Sequence, residues 1–416
     1  MLAHLSHVEA AEGCTPKCDD ASRRVQVERE HPEQGGLAAT IRSEHDPALT
    51  VVEVKAQVID DAAPIMNDGR MSQAKHRVGG GVRRHRVDGS RSGRRSWQSV
   101  SMSNARDDLE KGLARVLGVN AVVDLTRLTS GASRETWSFV ADGEKYILQR
   151  ERSGGVGRLR HEPALLRAAA SAGVPVPEVV VDGSESDALE RPFMIVRFIE
   201  GETIARRILR DDSFSNTRSA FVREVATAMA RLHSLPVDVV PGLDASDQLR
   251  MYDKLLCDLG QPHPAFELVL RWLNDNKPVT SRRTIVHGDL RLGNVLVDDH
   301  GVRAVLDWEL AHVGDPMEDL GWLCVRAWRF GSKKPVAGVG EYEELFDAYE
   351  QASGVHPDPD VVRWWEVFGI LRWGVICIMQ MTAHMSGMTR SHELAAIGRR
   401  VCETEYDAFM LLEGRW

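Results

Sequence analysis

Three oxygen-bearing side chains in the C-terminal half are placed where they could do chemistry together. Asp289 and Asn294 lie in the segment His-Gly-Asp-Leu-Arg-Leu-Gly-Asn, and Asp307 follows two short apolar runs. Those runs flank a polar turn at residues 298–301, so they predict a β-hairpin with Asn294 and Asp307 at its open end. Asp289 lies on the loop that leads into the same end. We therefore expect the three side chains to converge.

Phosphoryl transfer needs this set of groups. Hard oxygen ligands hold a Mg²⁺ ion on nucleotide phosphates, and a carboxylate orients the attacking hydroxyl and accepts its proton. We interpret Asn294 and Asp307 as metal ligands and Asp289 as the catalytic base. Single Asp residues are common at turns and strand ends, and it is the joint spacing that favours a catalytic role.

The same residues carry a family resemblance. The motif that ends in Asn294, followed by a hairpin and Asp307-Trp308-Glu309, resembles the aminoglycoside phosphotransferase-like family. Within it, the sequence is most similar to the subgroup related to the kinase-like domain fused to acyl-CoA dehydrogenases. The resemblance implies supporting roles for His287 and Glu309. It runs from about Leu125 to the C-terminus.

This resemblance implies a fold and an activity. The fold is α+β, namely a bilobal protein-kinase-like fold with a small antiparallel-sheet N-lobe and a mainly helical C-lobe. The activity is transfer of the γ-phosphate of ATP, with Mg²⁺, to a hydroxyl of a small molecule. An aminoglycoside-like compound and a hydroxylated acyl compound or other metabolite are the acceptors that we consider.

The resemblance also implies a nucleotide site in the N-lobe. The segment from Leu128 to Arg134 resembles the loop over the ATP phosphates, where small residues let backbone N–H groups approach an anion. Its candidate contacts are Ser130, Gly131 and Ser133. The segment from Met194 to Glu200, with Arg197 and Phe198, resembles the linker whose backbone binds adenine.

One position departs from the family pattern. A cation on the third strand of this fold binds the α- and β-phosphates and pairs with a Glu on the following helix. Glu162 fits the helix position, but the strand position holds Gln149. Either Arg150 takes over through a one-residue shift, which requires a bulge, or the pair with Glu162 is weakened. A nucleotide-binding pseudokinase that acts as a scaffold is thus the alternative function.

Hydrophobic spacing predicts the elements that position these residues. Short runs at 124–128, 136–140, 145–148, 178–181 and 193–198 predict antiparallel strands, with a helix at 158–172. Later helices are predicted at 221–233, 248–259, 264–273, 317–328, 342–352 and 361–382. We expect the N-lobe to span residues 102–200 and the C-lobe residues 201–416. Among the acidic residues after the hairpin, Asp315 is expected to cap the helix that begins at Met317 rather than to bind a cationic substrate.

Composition restricts the function classes. The net charge of −9 argues against nucleic acid as a partner, because such proteins usually present a basic surface. Six scattered cysteines fit a reducing cytoplasm, and Cys14 and Cys18 lack nearby ligands for a zinc site. The apolar stretch at 367–385 is interrupted by Arg372 and His384, so it predicts a buried core helix and no membrane span.

The first hundred residues differ from the rest. Their apolar residues show no sustained period, and the segment ends in an arginine cluster between Arg83 and Arg95. We interpret residues 1–101 as a disordered tail or the product of a mis-assigned start, with an anion-binding patch as the alternative. Removal of these residues is predicted to leave the melting temperature unchanged.

Overall fold

The computed structural model describes residues 106–129, 134–152, 158–279 and 282–415. The predicted tail and three residues of the predicted phosphate loop, namely Ser130, Gly131 and Ser133, lie outside these ranges. Within them, an antiparallel sheet lobe precedes a mainly helical lobe, so the α+β two-lobed expectation is confirmed.

Five antiparallel strands form the sheet of the N-lobe, in the order β1-β2-β3-β5-β4. Their bounds are Val122–Thr129 for β1, Arg134–Ala141 for β2, Glu144–Glu151 for β3, Val179–Gly183 for β4 and Phe193–Arg197 for β5. The β2–β3 turn is tight, because Asp142 and Gly143 both have positive φ, as a two-residue hairpin turn requires. All five predicted strands are present, and β5 begins at the predicted residue, whereas the other boundaries are shifted by one to three residues.

Two helices cover the N-lobe sheet. Helix α1 spans residues 106–117 and buries Leu109 and Leu113 in one apolar cluster with strand residues such as Phe139. Helix α2, Glu162–Ser171, buries its apolar side in the larger cluster that continues into the C-lobe. It begins four residues later than predicted, since the segment Arg158–Arg160 is a separate 3₁₀ turn.

Nine further helices form most of the C-lobe within the described residues. They are α3 Ala205–Arg210, α4 Ser215–Leu232, α5 Gln248–Leu259, α6 Pro264–Asp275, α7 Met317–Cys324, α8 Tyr342–Ser353, α9 Pro359–Met385, α10 His392–Gly398 and α11 Val401–Leu412. Helix α4 begins six residues before its predicted start, because its first turn is polar and shows no apolar period. Helix α7 ends before its predicted end, and Arg326–Trp328 forms a 3₁₀ turn instead.

Helix α9 is the central element of the C-lobe. It packs against α5, α6, α7, α10 and α11. Buried side chains occur on all its faces and include Arg372, whose charge is paired internally. In the described part of the chain no helix is long and apolar enough to cross a membrane. The burial of most side chains of α9 confirms the predicted buried core helix.

Two small strand pairs hold the loops of the C-lobe. Strand β6, Thr284–Val286, pairs with β9, His312–Gly314, and β7, Val295–Val297, pairs with β8, Val302–Val305. The β7–β8 hairpin was predicted, whereas the β6–β9 pair was not. The loop between β6 and β7 carries Asp289, and the loop between β8 and β9 carries Asp307.

Candidate active site

The start of β7 and the end of β8 lie side by side at the open end of the hairpin. The backbone N–H of Leu306 donates to the carbonyl of Asn294 over 2.8 Å, directly beyond the last β7–β8 pair. The Asn294 side-chain nitrogen donates to Asp289 twice, to Oδ2 over 2.7 Å and to the backbone carbonyl over 2.9 Å. Asp307 follows Leu306 in the left-handed region, at φ 65°. The convergence predicted from spacing is therefore present in the structure.

The loop before Asp289 is anchored by a buried carboxylate on α7. Asp319 accepts from the backbone N–H groups of His287 and Gly288, each over 2.8 Å. Gly288 has φ 74°, and a Cβ there would lie only 2.5 Å from the carbonyl oxygen of Leu310. The position therefore requires glycine, which explains the second residue of the motif.

His287 links this loop to the hairpin. Its Nδ1 accepts from the backbone N–H of Asp289 over 3.1 Å, so Nε2 carries the proton and donates to the carbonyl of Leu306 over 3.0 Å. Burial lowers the pKa of the imidazole, which keeps it neutral. Both ring nitrogens are occupied by backbone groups, and His287 therefore has the geometry of a supporting residue.

The carboxylate of Asp289 is held by two further side chains. Trp322 donates its indole N–H to Oδ1 over 3.0 Å, and Arg291 Nε lies 3.2 Å from the same oxygen. Arg291 also stacks on the ring of Trp328, with 4.6 Å from its guanidinium carbon to the ring centre. Trp322 was not among the predicted residues, since it lies on α7 and no spacing in the sequence relates it to the loop.

Negative charge is concentrated where Asp307 and Glu309 face the N-lobe. Burial in the cleft and then the charge of Glu309 raise the pKa of Asp307 to about 7, although Arg134 opposes the shift. Arg134 Nη2 lies 3.7 Å from Asp307 Oδ1 and 3.3 Å from Glu309 Oε2. Such crowding of carboxylates is relieved by a bound cation, so these oxygens suit a divalent metal.

Glu162 pairs with a different residue from the one that the sequence suggested. Arg134, the first residue of β2, donates Nη1 to Glu162 Oε2 over 2.7 Å and to Gln149 Oε1 over 3.1 Å. Gln149 thus accepts a hydrogen bond from the cation that contacts Glu162. The sequence offered one clue to this partner, because Arg134 directly follows the predicted phosphate loop.

The register shift considered for Arg150 does not occur. Strands β2 and β3 pair in continuous register, with Thr136 opposite Gln149 and Glu135 opposite Arg150. Since side chains alternate between faces of a strand, Arg150 lies on the face opposite to Gln149. There its guanidinium pairs with Glu135 over 2.9 Å. Arg150 therefore does not reach Glu162 or the site around Asp307.

Arg197 and Phe198, the predicted adenine contacts, lie at the end of β5. The side chain of Arg197 is 41% exposed and pairs with Glu178 and Glu144. The backbone N–H groups of Arg197 and Phe198 donate to the carbonyls of Glu178 and Lys145. These N–H groups are therefore used within the sheet, and any adenine contact of theirs would have to come from other atoms.

The acidic residues after the hairpin serve the interior of the C-lobe. Glu318 is buried between Arg372 and His312, each at 3.0 Å, and Asp319 is buried against His233 at 3.1 Å. Asp315 Oδ1 accepts from the backbone N–H of residue 317 at the start of α7, as expected. The prediction that Asp315 caps the helix that begins at Met317 is therefore confirmed.

The protein supplies few oxygen ligands around Asp307, fewer than a metal ion bound by protein side chains alone would need. No group of three or more His, Cys, Asp or Glu side chains among the described residues could hold a metal ion. Magnesium at nucleotide sites is commonly held by one or two protein oxygens together with phosphates and water, so a small donor set is compatible with it. A separate cavity of about 990 Å³ between α4 and α8 contains none of the predicted site residues.

The chain is similar in sequence to acyl-CoA dehydrogenase family members and to a hygromycin kinase. Acyl-CoA dehydrogenase family member 10 of Mus musculus is 28% identical over 289 residues, which are 62% of this chain and 26% of that protein. Hygromycin-B 4-O-kinase of Escherichia coli is 26% identical over 219 residues, which are 47% of this chain and 60% of that enzyme. The chain spans between a quarter and about a third of the length of the acyl-CoA dehydrogenase family members that it matches.

The fold and the family are shown by two further comparisons. The solved structure of aminoglycoside phosphotransferase APH(4)-Ia superposes with a TM-score of 0.52 at 18% identity, covering 74% of this chain and 98% of that one. At such identity the likeness shows the fold alone. The family model of the phosphotransferase enzyme family matches residues 124–365, more than half of the chain. The resemblance carried by the motif is thereby confirmed, and the chain belongs to the phosphotransferase enzyme family.

Proposed function

We propose that this protein is an ATP- and Mg²⁺-dependent phosphotransferase that acts on a hydroxyl of a small molecule. The observation that carries this proposal is the meeting of Asp289, Asn294 and Asp307 at the open end of the β7–β8 hairpin. A base and two oxygen ligands at one point are what transfer of a phosphoryl group to an alcohol requires.

Asn294 and Asp307 are the proposed magnesium ligands. The Asn294 nitrogen donates to Asp289, so the opposite end of the amide, Oδ1, is the atom suited to a cation. Asp307 supplies a carboxylate whose pKa is raised by burial and then by the negative charge of Glu309, and a metal ion would offset that charge. When bound, Mg²⁺ neutralises charge on the nucleotide phosphates.

Asp289 is the proposed base. Its carboxylate is 14% exposed and is fixed by Asn294 on one oxygen and by Trp322 and Arg291 on the other. The acceptor hydroxyl would give its proton to Asp289 while its oxygen bonds to the γ-phosphorus, the bond to the β,γ-bridging oxygen breaks, and ADP leaves. A carboxylate held in this way pays little reorganisation cost when the hydroxyl arrives.

The acceptor is proposed to be neutral or anionic rather than a polycation. Glu318 and Asp319, two acidic residues that follow the hairpin, are buried and paired, so neither is available to bind an aminoglycoside ammonium group. Arg291 places a positive charge beside the proposed base. A hydroxylated acyl compound or another hydroxylated metabolite fits this charge pattern better than the substrate named for the hygromycin kinase relative.

An assay of ADP formation tests the proposal. The protein is incubated with ATP, Mg²⁺ and hydroxylated compounds grouped as cationic, neutral and anionic. We expect turnover with a neutral or anionic compound, and a loss of about 10²- to 10⁴-fold in kcat for Asp289→Asn. The matched control is Asp299→Asn, since Asp299 is an exposed carboxylate in the turn of the same hairpin.

The pseudokinase is the second candidate, and the uncharged Gln149 on β3 is the observation that favours it. It predicts that ATP and Mg²⁺ bind, that no class of compound stimulates ADP formation, and that Asp289→Asn changes nothing. Loss of turnover in Asp289→Asn with intact turnover in Asp299→Asn would exclude it.

A further inference from the structure

A nucleotide in this cleft meets an electrostatic problem. The phosphates of ATP would approach a place that already holds the carboxylates of Asp289, Asp307 and Glu309. In enzymes that transfer phosphoryl groups, metal ions offset part of this negative charge. Protein cations that contact the phosphates offset the remainder. Gln149 brings no charge. A cation from another position is therefore needed.

We propose that Arg134 is this cation, and that it binds the α- and β-phosphates of ATP from β2. The proposal rests on the proposed function. The Arg134 guanidinium lies 3.7 Å from the proposed metal ligand Asp307 and directly follows the predicted phosphate loop in sequence. Phosphates coordinated to a metal at Asp307 would lie within reach of Nη2.

The contacts of Arg134 divide into a tight set and a loose set. On the tight side, Nη1 contacts Glu162 at 2.7 Å and Gln149 at 3.1 Å. On the loose side, Nη2 lies 3.3 Å from Glu309 and 3.7 Å from Asp307. A nucleotide can replace the loose contacts while Glu162 keeps the guanidinium in place. The planar fork of an arginine is suited to serve both sides at once.

The surroundings of the Arg134 guanidinium suit it to bind phosphate. Burial disfavours a charged guanidinium, yet the carboxylates of Glu162, Glu309 and Asp307 lie 2.7, 3.3 and 3.7 Å from it and offset that cost. Its side chain is 10% exposed, so its attraction for an anion is weakly screened by water. A cation that is held ready beside the metal ligands needs little rearrangement to bind phosphate.

Three other cations of the N-lobe sheet are engaged elsewhere. Arg150 pairs with Glu135 on the opposite face of the sheet. Lys145 lies at the turn end of β3, with its ammonium 3.8 Å from the centre of the Phe198 ring. Arg197 is exposed and pairs with two carboxylates at the surface, those of Glu144 and Glu178.

A nucleotide series tests the proposal by binding alone. Equilibrium affinities for ADP, AMP and adenosine are measured with Mg²⁺ for the full chain and for Arg134→Gln. We expect ADP to bind about tenfold more weakly or worse, because a charge-assisted contact to phosphate is lost. Adenosine, which has no phosphate, should change by less than about twofold, and AMP should lie between.

Two variants separate this effect from damage to the fold. Arg134→Gln leaves Glu162 buried without its cation, so the double variant Arg134→Gln/Glu162→Gln replaces both charges by neutral groups of similar shape. It should bind ADP as weakly as the single variant and melt at a temperature closer to that of the unaltered protein. Arg167→Gln removes a cation from an exposed pair with Asp182 and is the control.

The outcomes distinguish the two proposals. Unchanged ADP affinity in Arg134→Gln and in the double variant overturns the role of Arg134, and so does an equal loss of ADP and adenosine affinity in both. If the unaltered protein binds neither ATP nor ADP, the proposed function itself fails. Selective loss of ADP affinity in both variants, with normal binding by Arg167→Gln, supports the inference.

Discussion

At the scale of single residues, the orientation of the Asp289 carboxylate depends on the side chains that contact it. Asn294 contacts one oxygen, while Trp322 and Arg291 contact the other. The indole N–H of Trp322 carries no charge and reaches the loop from another element, so it restrains the direction of the carboxylate. We therefore regard Trp322 as a positioning residue for the proposed base.

Replacement of Trp322 by Phe tests this role. An aromatic ring is kept beside Arg372, while the five-membered ring of the indole and its N–H donor to Asp289 are lost. We expect kcat to fall about tenfold or more with little change in the KM for ATP, since the lost hydrogen bond goes to a charged group. Kinetic assays of phosphoryl transfer measure both values.

The control for this variant is Trp364→Phe. Trp364 is also buried and donates its indole N–H, but to the carbonyl of Leu273. It should lose stability by about 1 kcal/mol without the fall in kcat. Equal kcat values for Trp322→Phe and Trp364→Phe would contradict the positioning role.

Residue spacing predicted the convergence of the site only within one stretch of chain. Asp289, Asn294 and Asp307 could be brought together because one hairpin fixes their relation. Trp322 and Arg134 come from α7 and β2, and no local pattern says which residues of distant elements will meet. The pairing of Arg134 with Glu162 follows from the packing of α2 against the sheet.

At the scale of elements, α7 is the support of the catalytic loop. Within two turns it presents Glu318 to Arg372, Asp319 to the backbone of the loop and Trp322 to Asp289. The helix also packs along α9. A change in the α7–α9 contact is therefore expected to reach the catalytic loop.

The buried pair between Arg372 and Glu318 should matter far more for stability than a surface pair. Arg372→Met removes one of the two partners of the buried Glu318 carboxylate and leaves it with His312 alone, which costs about 3–5 kcal/mol of unfolding free energy. Chemical denaturation followed by tryptophan fluorescence measures this loss.

The matched change at the surface is Lys254→Met. Lys254 pairs with Asp258 on the exposed side of α5, and loss of such a pair costs about 0–1 kcal/mol. Similar losses for Arg372→Met and Lys254→Met would show that α7 does not depend on the buried pair.

Element prediction succeeded for most of the long amphipathic helices. The amphipathic stretch Gln248–Leu259 was predicted with its observed bounds. Strands β6 and β9 have three residues each and show no period, so they were missed. Helices α3, α10 and α11 were missed as well. The 3₁₀ turns at Arg158–Arg160 and Arg326–Trp328 extend an apolar pattern without continuing a helix, which misplaced two boundaries.

At the scale of the whole molecule, the lobes meet through charge at the candidate site. Arg134 of the N-lobe sheet contacts Asp307 and Glu309 of the C-lobe. The specific motif allowed the two-lobed architecture to be predicted through family resemblance, because composition and periodicity indicate only a sheet followed by helices. The acceptor could not be predicted, since its contacts depend on how separate C-lobe helices pack.

The apolar clusters in the described part of the chain are formed by residues between 109 and 411, and the family match begins at residue 124. We therefore expect a variant that lacks residues 1–101 to melt at the same temperature as the full chain. Differential scanning calorimetry of both proteins measures this. A fall of several degrees would contradict the proposed domain boundary.

Transfer of labelled phosphate tests whether the protein is a phosphotransferase with Asp289 as its base. The full protein and Asp289→Asn are each incubated with Mg²⁺, ATP labelled at the γ-phosphate and a protein-free pool of cellular small molecules. We expect label to enter a new small molecule with the full protein, chelation of Mg²⁺ to prevent this, and Asp289→Asn to reduce it by about 10²-fold or more. Label found only in ATP and inorganic phosphate, or equal transfer by Asp289→Asn, would contradict the proposed function.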